Sequence, residues 1–130
     1  MESQGRYIMA KTKKSPVREK RIAMEIVVDA YDEAERAMGW YYYLEEHLKC
    51  PFKTCCIKER SISPLALNDK VEVLKMAPEE ECEHEMFVMI RWGKKKLAVP
   101  LSQLTPIVPE PKTKQAVEDW HYWIDQGYIF

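Results

Sequence analysis

Glycine is scarce in this chain, with four among 130 residues. Their placement leaves no G-x-x-x-x-G-K-[ST] loop and no G-x-G-x-x-G turn to cradle a nucleotide's phosphates. There is no G-x-S-x-G elbow for a serine nucleophile, and the D-x-[DN]-x-[DN]-G run of an EF-hand is missing too. No apolar run is long enough to span a membrane. The opening "MESQGRYIMAKTKKSP" has no apolar h-region, so no secretory signal is expected. The expectation is a cytoplasmic protein with reduced thiols and no membrane contact. Neither charge is in excess: 20 Lys and Arg oppose 21 Asp and Glu, a net charge of −1. Nucleic-acid binding is therefore disfavoured by whole-molecule electrostatics, although Lys94, Lys95 and Lys96 make a basic hairpin tip.

The length argues for one domain, and a 46% hydrophobic composition supplies a core. Residues 1–17 are polar and aperiodic and read as a disordered basic leader, with a single domain over 18–130. From Arg18 the pattern becomes helical. Ile22, Ile26, Ala30, Ala34 and Met38 repeat every four residues, which predicts a helix over 18–38. Gly39 is a poor interior helix residue and is expected to end or bend it. A shorter helix follows over 40–48, before Pro51. A last helix is expected over 113–126, with Thr113 as N-cap, Ala116, Val117, Trp120, Trp123 and Ile124 buried, and Gly127 just past its end.

The middle of the chain reads as β-structure. "FKTCCI" is a short strand, and Val71 and Val73 alternate after a turn at Asn68 and Asp69. "EMFVMIRW" and "KLAVPL" form a hairpin about Gly93, and "SQLTPI" reads as a 3₁₀ turn with a final strand. "PEEECEHE" is a loop. The fold class expected is α+β: N-terminal helices and a C-terminal helix packed on a small SH3-like β-barrel.

The carboxylates carry most of the chemistry. Glu25, Asp29, Asp32 and Glu33 crowd one short segment, and Glu45 and Glu46 follow the aromatic block "GWYYY". A bend at Gly39 would bring the two groups together. Clustered carboxylates repel, and a hard cation relieves the repulsion; calcium accepts six to eight oxygens in irregular geometry. A solvated helix face is the commoner use of such a pattern. Cys50, Cys55, Cys56 and Cys82, with His47 and His84, are zinc-ligand types, but the spacing lacks C-x₂-C. Adjacent Cys55 and Cys56 on a strand would face opposite sides, so free packed thiols are expected, with neither zinc nor disulfide. Nothing positions a substrate for acid–base work, so no enzyme activity is expected.

The run "RIAMEIVVDAYDEAERAMGWYYYLEEHLKCPF" resembles the small bacterial calcium-binding family called CcbP. The resemblance continues through "SPLALNDKVEVLKM", "MFVMIRW", "LAVPLSQL" and "DWHYWIDQGYIF", and so covers most of the chain from Arg21. It implies calcium binding by acidic side chains without an EF-hand, as a buffer or sensor. It carries over to Asp29, Glu33, Glu45 and Glu46. With Asp32, whose carboxylate adds negative potential, these are the expected calcium ligands, and "PEEECEHE" is a candidate second, weaker site. Trp40, Tyr41, Tyr42 and Tyr43 are then a rigid mount for Glu45 and Glu46, some rings buried and some hydroxyls at the rim. The other reading is an SH3-like binding module for nucleic acid or a protein partner. A base-stacking role for the four rings lacks a basic surround. A monomer is expected, with a protein partner left open.

Overall fold

The computed structural model describes residues 13–130. Residues 1–12, most of the expected leader, lie outside the described residues. Ser15 has extended backbone, its Oγ accepts from the Arg18 N–H at 3.2 Å, and Pro16 opens the first helix. This helix, α1 (Pro16–Arg21), runs straight into a π-helical turn over Ile22–Ile26. Two longer helices follow: α2 (Glu33–His47) and, at the end of the chain, α3 (Pro111–Asp125).

The N-terminal helices break in a different place from the one their periodicity predicts. The four-residue repeat runs unbroken from Ile22 to Met38, yet the chain leaves helix after Ile26 and re-enters it at Glu33. Two local features explain the break. Asp29 adopts a left-handed φ of +59, and Asp32 has extended backbone and caps a new helix. Gly39 neither ends nor bends a helix; it sits inside α2. A Cβ there would overlap the Ile26 carbonyl oxygen, so glycine lets α2 press against the π-turn. We therefore expect Gly39→Ala to destabilise. Alanine gains about 1 kcal/mol of helix propensity, but the obstructing atom is backbone, and overpacking of that kind costs about 1–3 kcal/mol. A lower urea midpoint at unchanged m-value is the expected outcome, and a higher midpoint would refute the close packing.

The strands follow the alternation. They are β1 (Phe52–Cys56), β2 (Lys70–Met76), β3 (Phe87–Trp92), β4 (Lys95–Pro100) and β5 (Leu104–Pro106). They form one antiparallel sheet in the order β4-β3-β2-β1-β5. Thr54 lies opposite Val71, Val73 opposite Ile90 and Val88 opposite Val99, all on the buried face. Gly93, with φ +61, turns β3 into β4. The expected closed barrel is not formed: among the described residues no ladder joins β4 to β5. Only the 3₁₀ turn Leu101–Gln103 separates these two strands, so the sheet curls until its edges approach. Closure fails because β5 has three residues, one of them Pro106 without an N–H, and because Leu101, Ser102 and Gln103 are buried in the gap.

Both long helices pack into that curl. Trp40 and Leu44 from α2 and Val117 and Trp120 from α3 share a core with Val73, Val88, Ile90, Val99, Leu101 and Leu104. The N-cap of α3 is Glu110 with Pro111 following, not Thr113, whose buried hydroxyl instead accepts from the Lys49 N–H at 2.9 Å. Its end matches the sequence signal. Gly127 has φ +81, its N–H reaches Ile124 O at 2.9 Å, and the Tyr128 N–H reaches Trp123 O at 3.2 Å.

Candidate functional site

The five carboxylates singled out by sequence do not meet at one point. Asp32 is occupied as a helix cap: its Oδ1 accepts from the Glu35 N–H at 2.8 Å, and Glu35 Oε1 accepts from the Tyr31 N–H at 2.7 Å. Asp29 is exposed in the loop before it and is not one helical turn ahead of Glu33. Glu33 opens α2, and Glu45 and Glu46 lie exposed in its last turns. Twelve positions of helix put Glu45 about 18 Å from Glu33 along the axis, too far to share an ion. Glu45 borders a separate depression that also holds Lys49 and Lys75, so cations already sit beside it.

A different set of carboxylates comes together. The segment after β2 forms a 3₁₀ turn over Glu79–Cys82 and lies against α2. Between the two is a groove of about 640 Å³. Glu33, Glu79, Glu80 and Glu83 line it, with His84, and among the described residues no Lys or Arg does. The segment is pinned in the middle and at the end of its acidic run. Cys82 is buried and its Sγ accepts from the Phe87 N–H at 3.4 Å. Glu85 is taken up by Arg60 and by the Ser102 hydroxyl.

The tyrosines of the aromatic block hold this arrangement. The Tyr41 hydroxyl donates to Ala77 O at 2.7 Å, fixing the segment's start. The exposed Tyr42 hydroxyl donates to Glu79 Oε2 at 3.2 Å. Burial pushes the Tyr41 phenol up to about 12, and the negative field of Glu45, Glu79 and Glu80 adds to it. The Tyr42 phenol is raised too, chiefly by the charge of Glu79. Both phenols therefore stay protonated as donors at neutral pH. Tyr43 turns the other way and donates to Asp119 Oδ2 at 2.8 Å. The mount expected from the four rings is one for Glu45 and Glu46, but the hydroxyl bonds to carboxylates from this block go to Glu79 from Tyr42 and to Asp119 from Tyr43.

Four of the residues lining the groove carry carboxylates, the oxygen ligands that suit a hard cation; His84, Cys82 and Tyr41 line it as well. Among the described residues no three His, Cys, Asp or Glu side chains already converge on one ion position. The groove glutamates are exposed to solvent. The cysteines are free. Cys55 is half-buried and Cys56 fully buried on adjacent strand positions, which face opposite ways. Burial raises the Cys50 and Cys82 thiols. Among the described residues no helix is long and apolar enough to cross a membrane.

A family model described as calcium binding, CcbP, matches residues 20–124. The chain belongs to the CcbP family. Two solved structures share the CcbP fold with it. The crystal structure of Anabaena CcbP is 40% identical, with a TM-score of 0.82, over 92% of this chain and 98% of that one. A calcium-binding protein in its calcium-binding form is also 40% identical, with a TM-score of 0.80, over 90% of this chain and 96% of that one. No curated protein matches. In the sequence of this CcbP-type chain, Glu79, Glu80 and Glu83 read as part of a second, weaker candidate site. The acidic run itself was visible, but its position beside Glu33 is a tertiary fact. The Asp32-x-x-Glu35 pattern was a capping signal from the start.

Proposed function

We propose that this chain binds calcium in the groove between α2 and residues 78–84, as a buffer or sensor of the free ion. The observation that carries this reading is the groove's charge: four glutamates from two elements, with no Lys or Arg among the described residues that line it. Bringing such groups together is unfavourable until a divalent ion neutralises them. Glu33, Glu79, Glu80 and Glu83 are the assigned ligands. Glu45 contributes field from the far side of Tyr41, and Asp29 and Glu46 lie outside the site. Flexible glutamates and water meet calcium's irregular shell more readily than magnesium's strict octahedron. Membership of a calcium-binding family supports the choice of ion.

The test is calorimetric titration with calcium and then with magnesium. Glu80→Gln and Glu33→Gln should each weaken calcium binding about tenfold, or 1.4 kcal/mol, and leave the melting temperature without calcium nearly unchanged. Asp29→Asn and Glu46→Gln should titrate like the parent. If those two lose affinity and the groove variants do not, the site is elsewhere. If the parent gives no heat at millimolar calcium, the function is wrong.

A further inference from the structure

The groove holds more than an ion needs. Its volume of about 640 Å³ falls among those of pockets that take whole ligands or side chains. Ala34, Ala37, Met38 and Tyr41 give it an apolar wall, which a hard cation does not use. Ala34 and Met38 also border a second depression, continued by Ile26, Val28 and Gly39. Sharing Ala34 and Met38, the two adjoin as a trough along α2. Val28, which lines the second depression, is 50% exposed, and Met24 and Tyr31, near it in sequence, are 64% and 81% exposed.

We infer that this trough docks a basic amphipathic segment of a partner protein. Apolar side chains of the segment lie along Met38 and Val28, and its lysines or arginines meet the glutamates of the rim. Charge complementarity selects the partner: the acidic rim repels an acidic segment and attracts a basic one. The layout is that of a helix-in-groove contact, with apolar anchors on one face and charge on its borders. The rim glutamates are also the assigned calcium ligands, so the two occupants oppose each other. Calcium cancels the charge that attracts the segment, and by linkage the segment lowers calcium affinity by the same factor. A rise in calcium releases the partner. This opposition rests on the calcium reading above; the docking does not.

The probe is a short synthetic helix of leucine and lysine, labelled for fluorescence anisotropy, with a leucine–glutamate counterpart. The full chain is titrated first in chelator and then in saturating calcium. The lysine peptide should bind in chelator with a Kd of order micromolar and weaken about tenfold in calcium. Val28→Ser and Met38→Ser should weaken the peptide, and Val28→Ser, which lies outside the calcium groove, should leave the calorimetric calcium response unchanged. Val28 is half exposed, so its variant should fold normally. No peptide binding in chelator, with calcium heat intact, overturns the docking and leaves the calcium site standing. Peptide binding without calcium heat does the reverse. Binding of the glutamate peptide, or indifference to both serine variants, reduces the contact to general charge attraction and overturns the proposal. Sedimentation showing a dimer that the peptide dissociates would assign the trough to a second copy and overturn it equally.

Discussion

Asp119→Ala is expected to cost the fold about 3–5 kcal/mol, toward the lower end of that range. The Asp119 side chain is fully buried, yet all its lone pairs are used. Oδ1 accepts from Arg18 Nη1 at 2.6 Å and Arg21 Nη2 at 2.7 Å. Oδ2 accepts from Arg21 Nε at 2.9 Å and the Tyr43 hydroxyl at 2.8 Å. One carboxylate thus fastens α1 and α2 to α3. Without it two guanidinium groups and a phenol face a vacated, poorly hydrated space. The Arg18 and Arg21 side chains keep 27% and 16% exposure, so water recovers part of the loss. Asn is no substitute, since its NH₂ would confront guanidinium donors; Asp119→Asn should also lose well over 1 kcal/mol. Glu118 pairs with the same Arg18 but is 44% exposed, and Glu118→Gln should stay within about 0.5 kcal/mol of the parent. Urea unfolding of the three variants decides it. A loss below about 1 kcal/mol for Asp119→Ala would mean that the arginines find other partners and that the hub is not what joins the helices.

The sheet was legible in the sequence because its determinants are local. Alternation at Val71 and Val73 sets the buried face. Asn68 at φ +71 and Gly93 at φ +61 occupy left-handed positions where asparagine and glycine are favoured. Strand order and closure are not local, and the barrel expectation failed at β5, whose shortness no periodicity reports. The helical region shows the same division. Its apolar repeat was read correctly as periodic, but the break at residues 27–32 depends on the Asp32 cap and on Gly39 meeting Ile26. At the site, Glu33 was legible as one of a crowded acidic group. Glu79, Glu80 and Glu83 were legible only as a separate, weaker candidate site; what sets them beside Glu33 is the packing of residues 78–84 on α2. Asp119 gave no warning at all: between Glu118 and Trp120 it reads as one more solvated charge.

The other large effect is expected at Trp40. Its side chain is fully buried at the centre of the aromatic packing. It meets Trp120 edge to face at a centroid distance of 5.0 Å, Tyr43 edge to face at 6.0 Å and Trp123 at 5.6 Å. Trp40→Ala removes a whole indole from a site walled by other rigid rings, which cannot collapse into the space. The cost should be about 3–5 kcal/mol, comparable to much of a small domain's total stability. Trp40→Phe separates packing from polarity. Among the described residues the Trp40 Nε1–H has no hydrogen-bond partner, a burial penalty of about 1–3 kcal/mol. Phenylalanine removes that penalty as it opens a smaller cavity, and the two effects offset. Trp40→Phe should therefore lose less than about 2 kcal/mol. It should also leave calcium affinity unchanged, because Tyr41 and Tyr42, not Trp40, face the acidic groove. If Trp40→Phe instead costs as much as Trp40→Ala, the indole N–H has a stabilising partner and the packing argument for the aromatic block fails.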